Sequence, residues 1–85
     1  LMGQVERVAA AAGLPLAAFV PLARAALDDV AAVGPRRALT GPAVRGDQAT
    51  VERHVAALAP EERDGYLAGV VLARRLVTTD PVRAA

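Results

Sequence analysis

Glycine and proline divide this chain into short apolar segments, and this division constrains its fold more than any other feature. Gly13 and Pro15 follow the first segment, and Gly34 and Pro35 follow the second. Within the segments, apolar residues recur three and four positions apart, which places them on one face of a helix. No segment alternates apolar and polar residues as a strand does, and no Asn-Gly hairpin turn separates two runs. The pattern predicts an all-α fold, a bundle of four to five helices, as a single domain over residues 1–85.

Four main helices are predicted. They cover residues 1–12, residues 16–33 with the main helix starting at Pro21, a segment N-capped by Asp47, and a segment from about Pro60 to Asp80-Pro81. Aspartate is a favoured N-cap, because its carboxylate accepts N–H groups of the first turn, and proline suits a first-turn position. The remaining segment, residues 36–47, has no clear helical period. Loops often carry functional residues, so we expect function there.

Charge and residue content exclude several classes of function. All ten basic residues are arginine, nine acids nearly balance them, and no one-sided basic run occurs. We therefore expect no nucleic-acid partner, and the charge disfavours a helix-turn-helix DNA binder even though the helix count would allow one. With no cysteine and a single histidine, we also expect no disulfide and no metal site.

The apolar content points to a partner. Hydrophobic residues make up 54% of the sequence, more than 85 residues need for a private core. We expect the surplus to face another polypeptide, as in a homodimer, although abundant alanine is the alternative explanation. Met2 lies inside the helical pattern, so we expect the chain to begin within a longer protein, unless Leu1 is a cloning remnant. The longest uncharged run is too short to span a bilayer, and no signal peptide is visible, so we expect no membrane partner and a cytoplasmic location.

One loop combines residues suited to anion binding. Thr40 and Gly41 precede Pro42 at the start of a turn. Glycine allows close approach of the backbone, and exposed N–H groups at a helix start favour anions. Arg45 adds a charge that suits a carboxylate or phosphate. These four residues form a candidate anion-binding corner. The alternative is a well-capped loop between two helices.

The single histidine, His54, is a second and weaker candidate. It lies beside the apolar stripe of the helix that follows Asp47, and an imidazole at such a position can act as a general acid or base. The simpler interpretation is a helix residue at the edge of the core. The same interpretation suits Tyr66, with its hydroxyl reaching water.

The sequence also resembles a known family along most of its length. The resemblance is carried by Ala38-Leu39-Thr40-Gly41-Pro42, Arg45-Gly46-Asp47, and Thr50-Val51-Glu52-Arg53-His54-Val55 with Ala57-Leu58. These motifs resemble the C-terminal helical domain, itself of unknown function, of a bacterial family of Rossmann-like proteins. Those proteins look like relatives of pyrroline-5-carboxylate reductase and of the 6-phosphogluconate dehydrogenase superfamily. The use of arginine only, with abundant alanine, also looks bacterial.

The resemblance implies a role within a larger oxidoreductase. It implies an N-terminal NAD(P)-binding Rossmann domain, and a C-terminal helical domain that dimerises and supplies one wall of the substrate cleft. By this resemblance Thr40, Gly41, Pro42 and Arg45 face a substrate carboxylate. The residues in hand carry no dinucleotide-binding motif, so we expect them to bind no cofactor and to have no redox activity alone. The alternative function is an independent helical protein-interaction module without catalysis.

Overall fold

The structure is a computed structural model that describes residues 1–78, and within this range it is helical and contains no strand. Five α-helices are joined by short connections, with a 3-10 turn at Leu16–Ala18 between the first two. The helices are α1 (Met2–Ala11), α2 (Val20–Ala38), α3 (Pro42–Arg45), α4 (Gln48–Ala57) and α5 (Pro60–Thr78). The all-α prediction is therefore confirmed. The predicted helix stop at Asp80-Pro81 lies outside the described residues.

Local sequence chemistry explains several helix ends. After α1, Gly13 adopts a left-handed conformation with a φ of 76°, as is common just past a helix C-terminus. Pro21 lies in the first turn of α2, directly after the 3-10 turn, as the sequence predicted. Asp47 caps α4, since its Oδ1 accepts the backbone N–H of Thr50 at 3.2 Å. These ends follow from residues close in sequence.

Gly34 interrupts α2. Its φ of 83° and ψ of 163° break the helix into residues 20–33 and a short final turn, residues 35–38. This combination of angles is essentially restricted to glycine, so the predicted end of the helix at Gly34 and Pro35 is correct. The segment 36–47 is nevertheless more helical than its sequence indicated, because both this final turn and α3 fall within it.

Helix α5 organises the rest of the fold. It packs against α1, α3 and α4, and α3 also packs against α4. The apolar core within the described residues is small: Ala9 of α1, Val51 of α4 and Val70 of α5. Val51 is 1% exposed and is the largest fully buried side chain. Each of these three helices therefore buries one apolar residue.

Helix α2 packs closely only on the 3-10 turn before it, and none of its residues is buried. Four large apolar side chains on one side of it remain exposed: Leu22, Leu27, Val30 and Val33. We call these four residues the α2 face. The radius of gyration is 13.8 Å, larger than the roughly 12 Å expected for a compact chain of this length. Nothing within residues 1–78 therefore covers the α2 face.

An ion pair between exposed Arg7 and buried Glu62 joins α1 to the start of α5. Glu62, in the first turn of α5, is only 6% exposed, and its two carboxylate oxygens accept hydrogen bonds from Arg7 Nε at 2.6 Å and Nη2 at 2.9 Å. These hydrogen bonds lower the pKa of Glu62, against the opposing effect of burial, and raise the pKa of Arg7. Glu62 is a first-turn acid of α5, and its side chain also fastens α5 to α1.

Candidate functional site

The predicted anion-binding corner forms the junction between α2 and α3. Gly41 is the N-cap of α3 with a φ of 110° and a ψ of 179°, and Pro42 occupies the first position of the helix. Thr40, Gly41 and Arg45 line one surface depression, together with Leu39, Val44 and Val77. Pro42 starts the helix but does not line the depression. The structure thus brings three of the four predicted residues to a shared surface.

Glycine is required at position 41 for its backbone conformation, since a φ of 110° strongly disfavours residues with a Cβ atom. The space where a Cβ would stand is open, with no heavy atom within 4 Å. The glycine does not allow a close approach between parts of this chain. It instead leaves the backbone of the corner accessible from outside.

Arg45 lies at the open side of the corner, and its side chain is 63% exposed. Its Nη2 atom is 3.9 Å from Asp47 Oδ2, which is too long for a hydrogen bond. The Asp47 carboxylate is engaged by Thr50 instead, whose hydroxyl donates to Oδ2 at 2.7 Å and whose N–H donates to Oδ1. These two bonds lower the pKa of Asp47. Arg45 therefore keeps hydrogen-bond donors for an anion, while Asp47 serves the helix.

His54 lies apart from the corner. Its Nδ1 atom is 2.7 Å from the hydroxyl oxygen of Tyr66, and the two rings meet edge to face with centroids 5.7 Å apart. Both residues line a different cavity from the one at Thr40, Gly41 and Arg45. The structure does not combine His54 with the predicted corner into a single site.

The cavity at His54 is an open, apolar space of about 480 Å³ between α1, the 3-10 turn and the facing parts of α4 and α5. We call it the His54 cavity. The side chains that matter for its chemistry are Val5, Val8, Phe19, Leu58, His54 and Tyr66. A volume of this size falls within the range of small-molecule sites, which combine an apolar lining with a few polar groups.

Little in the sequence indicates this cavity. His54 and Tyr66 are twelve positions apart on different helices, so no helical spacing relates them. Arg63 was also missed: its Nε donates to the backbone oxygens of Val55 at 2.9 Å and Leu58 at 3.1 Å, which fastens α5 to the C-terminus of α4.

Two further kinds of feature are absent from residues 1–78. No helix there has the length and apolar character needed to cross a membrane. No cluster of three or more His, Cys, Asp or Glu side chains in the same range has an arrangement that could hold a metal ion.

Comparison with known proteins identifies the family. Residues 1–73 match the model of the family described as "Domain of unknown function (DUF2520)". The chain has no significant match among curated proteins or solved structures. The family match includes α1 to α4, the corner, the His54 cavity and most of α5. The chain therefore belongs to the DUF2520 family.

Proposed function

We propose that this domain pairs with a second copy of itself and forms one wall of the substrate cleft of a cytoplasmic, bacterial, NAD(P)-dependent oxidoreductase. In this proposal a Rossmann domain of the same protein holds the cofactor, and the helical domain resembles the C-terminal domain of 6-phosphogluconate dehydrogenases. The helical domain holds the two copies together and contacts the substrate, and it has no redox activity by itself.

The exposed α2 face is the main observation in support of the proposed dimerisation. Residues 20–33 form a straight segment about 21 Å long, at 1.5 Å per residue, with its large apolar side chains on one side. A two-fold axis brings the same face of two copies together, so one apolar face is sufficient for a symmetric contact. Packing α2 against its copy removes from water the apolar surface that the domain leaves exposed.

The corner at Thr40, Gly41 and Arg45 supports the cleft half of the proposal. Its backbone is open at Gly41, and the Arg45 guanidinium is exposed and has no hydrogen-bonded carboxylate among residues 1–78. A guanidinium binds a carboxylate through two parallel N–H groups, so this surface suits an anionic group of a substrate.

Light scattering during size-exclusion chromatography tests the association. At high micromolar concentration we expect a mass twice the 8.7 kDa of one chain. A strict monomer at that concentration would contradict the proposed dimerisation. For the cleft, Arg45→Ala in the full-length protein should weaken substrate binding, with Arg53→Ala on the exposed side of α4 as the control. Unchanged substrate affinity after Arg45→Ala would contradict the proposal that Arg45 binds a substrate carboxylate.

A protein-interaction module without a catalytic parent is the second candidate. A second exposed apolar surface on α5, formed by Leu67, Val71 and Leu72, favours it. Translating the coding DNA upstream of Leu1 separates the two candidates. An open reading frame encoding a strand, a Gly-x-Gly-x-x-Gly turn and a helix supports the oxidoreductase, whereas a start codon a few residues upstream supports the module.

A further inference from the structure

We propose that the His54 cavity is a binding site for a small apolar carboxylic acid, whose chain fills the cavity and whose carboxylate accepts a hydrogen bond from His54. This site is separate from the corner at Arg45, and the proposal does not rest on the proposed dimerisation or cleft.

The lining of the cavity defines the body of the ligand. Apart from Gln4, His54 and Tyr66, every residue of the lining is Val, Ala, Leu or Phe. The Gln4 amide is already engaged, since its Nε2 donates to the backbone oxygen of Glu62 at 3.1 Å. A ligand therefore gains most of its affinity by removing apolar surface from water, which favours a hydrocarbon chain over a polar molecule such as a sugar.

The His54–Tyr66 pair defines the head of the ligand. The Tyr66 hydroxyl oxygen lies 2.7 Å from Nδ1, and in our proposal this hydroxyl donates to Nδ1, which leaves the imidazole N–H on Nε2. The second ring nitrogen is then a donor, held in orientation by the phenol, and it suits an acceptor such as a carboxylate oxygen. No acidic side chain lines the cavity to repel this group, and the nearby Glu62 carboxylate is neutralised by Arg7. An N–H donor and a carboxylate form a charge-assisted hydrogen bond.

The probe is a series of straight-chain carboxylates from hexanoate to dodecanoate, titrated calorimetrically below their aggregation concentrations. We expect affinity to rise about fourfold per methylene, until the chain outgrows the cavity. We expect 1-decanol, which has the same chain without the carboxylate, to bind more weakly than decanoate. Affinity that does not depend on chain length overturns the proposal, because the cavity then contributes no apolar burial.

A variant that narrows the cavity tests whether the ligand binds there. Ala57 is an exposed residue that lines the cavity, so Ala57→Leu narrows the space without altering the core and should weaken decanoate binding. Ala49→Leu makes the same change at an exposed position elsewhere on α4 and should leave binding unchanged. Undiminished decanoate binding by Ala57→Leu places the ligand elsewhere and overturns the proposal.

His54→Phe keeps a ring in place but removes the donor. It should weaken decanoate about tenfold or more and 1-decanol clearly less, because a hydroxyl oxygen accepts a weaker hydrogen bond from Nε2 than a carboxylate does. If the affinities for decanoate and 1-decanol fall equally, His54 contributes only packing, and the proposal that it binds the carboxylate is overturned. Circular dichroism checks that each variant is helical. Leu27→Ala on the α2 face should leave decanoate affinity unchanged, so failure of the dimer proposal and failure of this one are distinguishable.

Discussion

Replacing Leu27 on the α2 face is the sharpest test of the proposed dimer. Leu27 is 68% exposed in the single chain. Burying a whole leucine side chain is worth about 1.5–3 kcal/mol, so covering the exposed part is worth about 1–2 kcal/mol. A two-fold interface contains this residue twice. Leu27→Ala should therefore cost the dimer about 2–4 kcal/mol, which raises its dissociation constant roughly 30- to 700-fold.

Sedimentation velocity over a range of micromolar concentrations measures this change directly. Leu72→Ala is the matched control, since Leu72 is 60% exposed but lies on α5, outside the α2 face. Both variants should retain the helical content of the parent chain, because neither residue belongs to the core. If the parent chain dimerises and Leu27→Ala dimerises equally well, α2 is not the interface. A selective effect of Leu72→Ala would instead assign the interface to α5.

Three further predictions concern folding, each measured by thermal or urea denaturation. Gly34→Ala should destabilise the domain by about 1–3 kcal/mol, because alanine cannot easily adopt a φ of 83° and a ψ of 163°; an unchanged midpoint would show that α2 can run straight through this position. Val51→Ala removes two methyl groups from a fully buried site and should cost about 2 kcal/mol; a much smaller loss would mean that the core does not centre on Val51. Glu62, whose pKa is lowered from 4.5 by Arg7, should contribute stability that is complete above about pH 5 and is lost as the pH falls through the folded-state pKa; Glu62→Gln should flatten this acid limb, and an equally steep limb in that variant would contradict the assignment.

The features that were predicted correctly are those that neighbouring residues determine. The Asp47 cap, the break at Gly34 and the start of α5 at Pro60 each depend on the conformational preference or hydrogen bonding of one residue and its next few neighbours. Three of the four corner residues share a surface for the same reason, since positions 40 to 45 are close in sequence.

The features that were missed depend on how the helices meet. Arg7 and Glu62 are 55 positions apart, and nothing in either helix indicates that these charges will pair. His54 meets Tyr66 only because α4 and α5 turn back on each other. The apolar stripe of α2 is visible in the sequence. Periodicity shows which residues share a face of the helix, but it does not show what packs against that face.

The small core has a consequence for how this domain persists at low concentration. With Ala9, Val51 and Val70 as the buried apolar residues of the described chain, little of its folding free energy comes from its own interior. Any molecule that binds only the folded form adds stability that grows with the ratio of its concentration to its dissociation constant. Dilution or loss of such a molecule then raises the unfolded fraction, and protease susceptibility rises with it. The lifetime of the domain is therefore a property of what it is bound to as much as of its sequence.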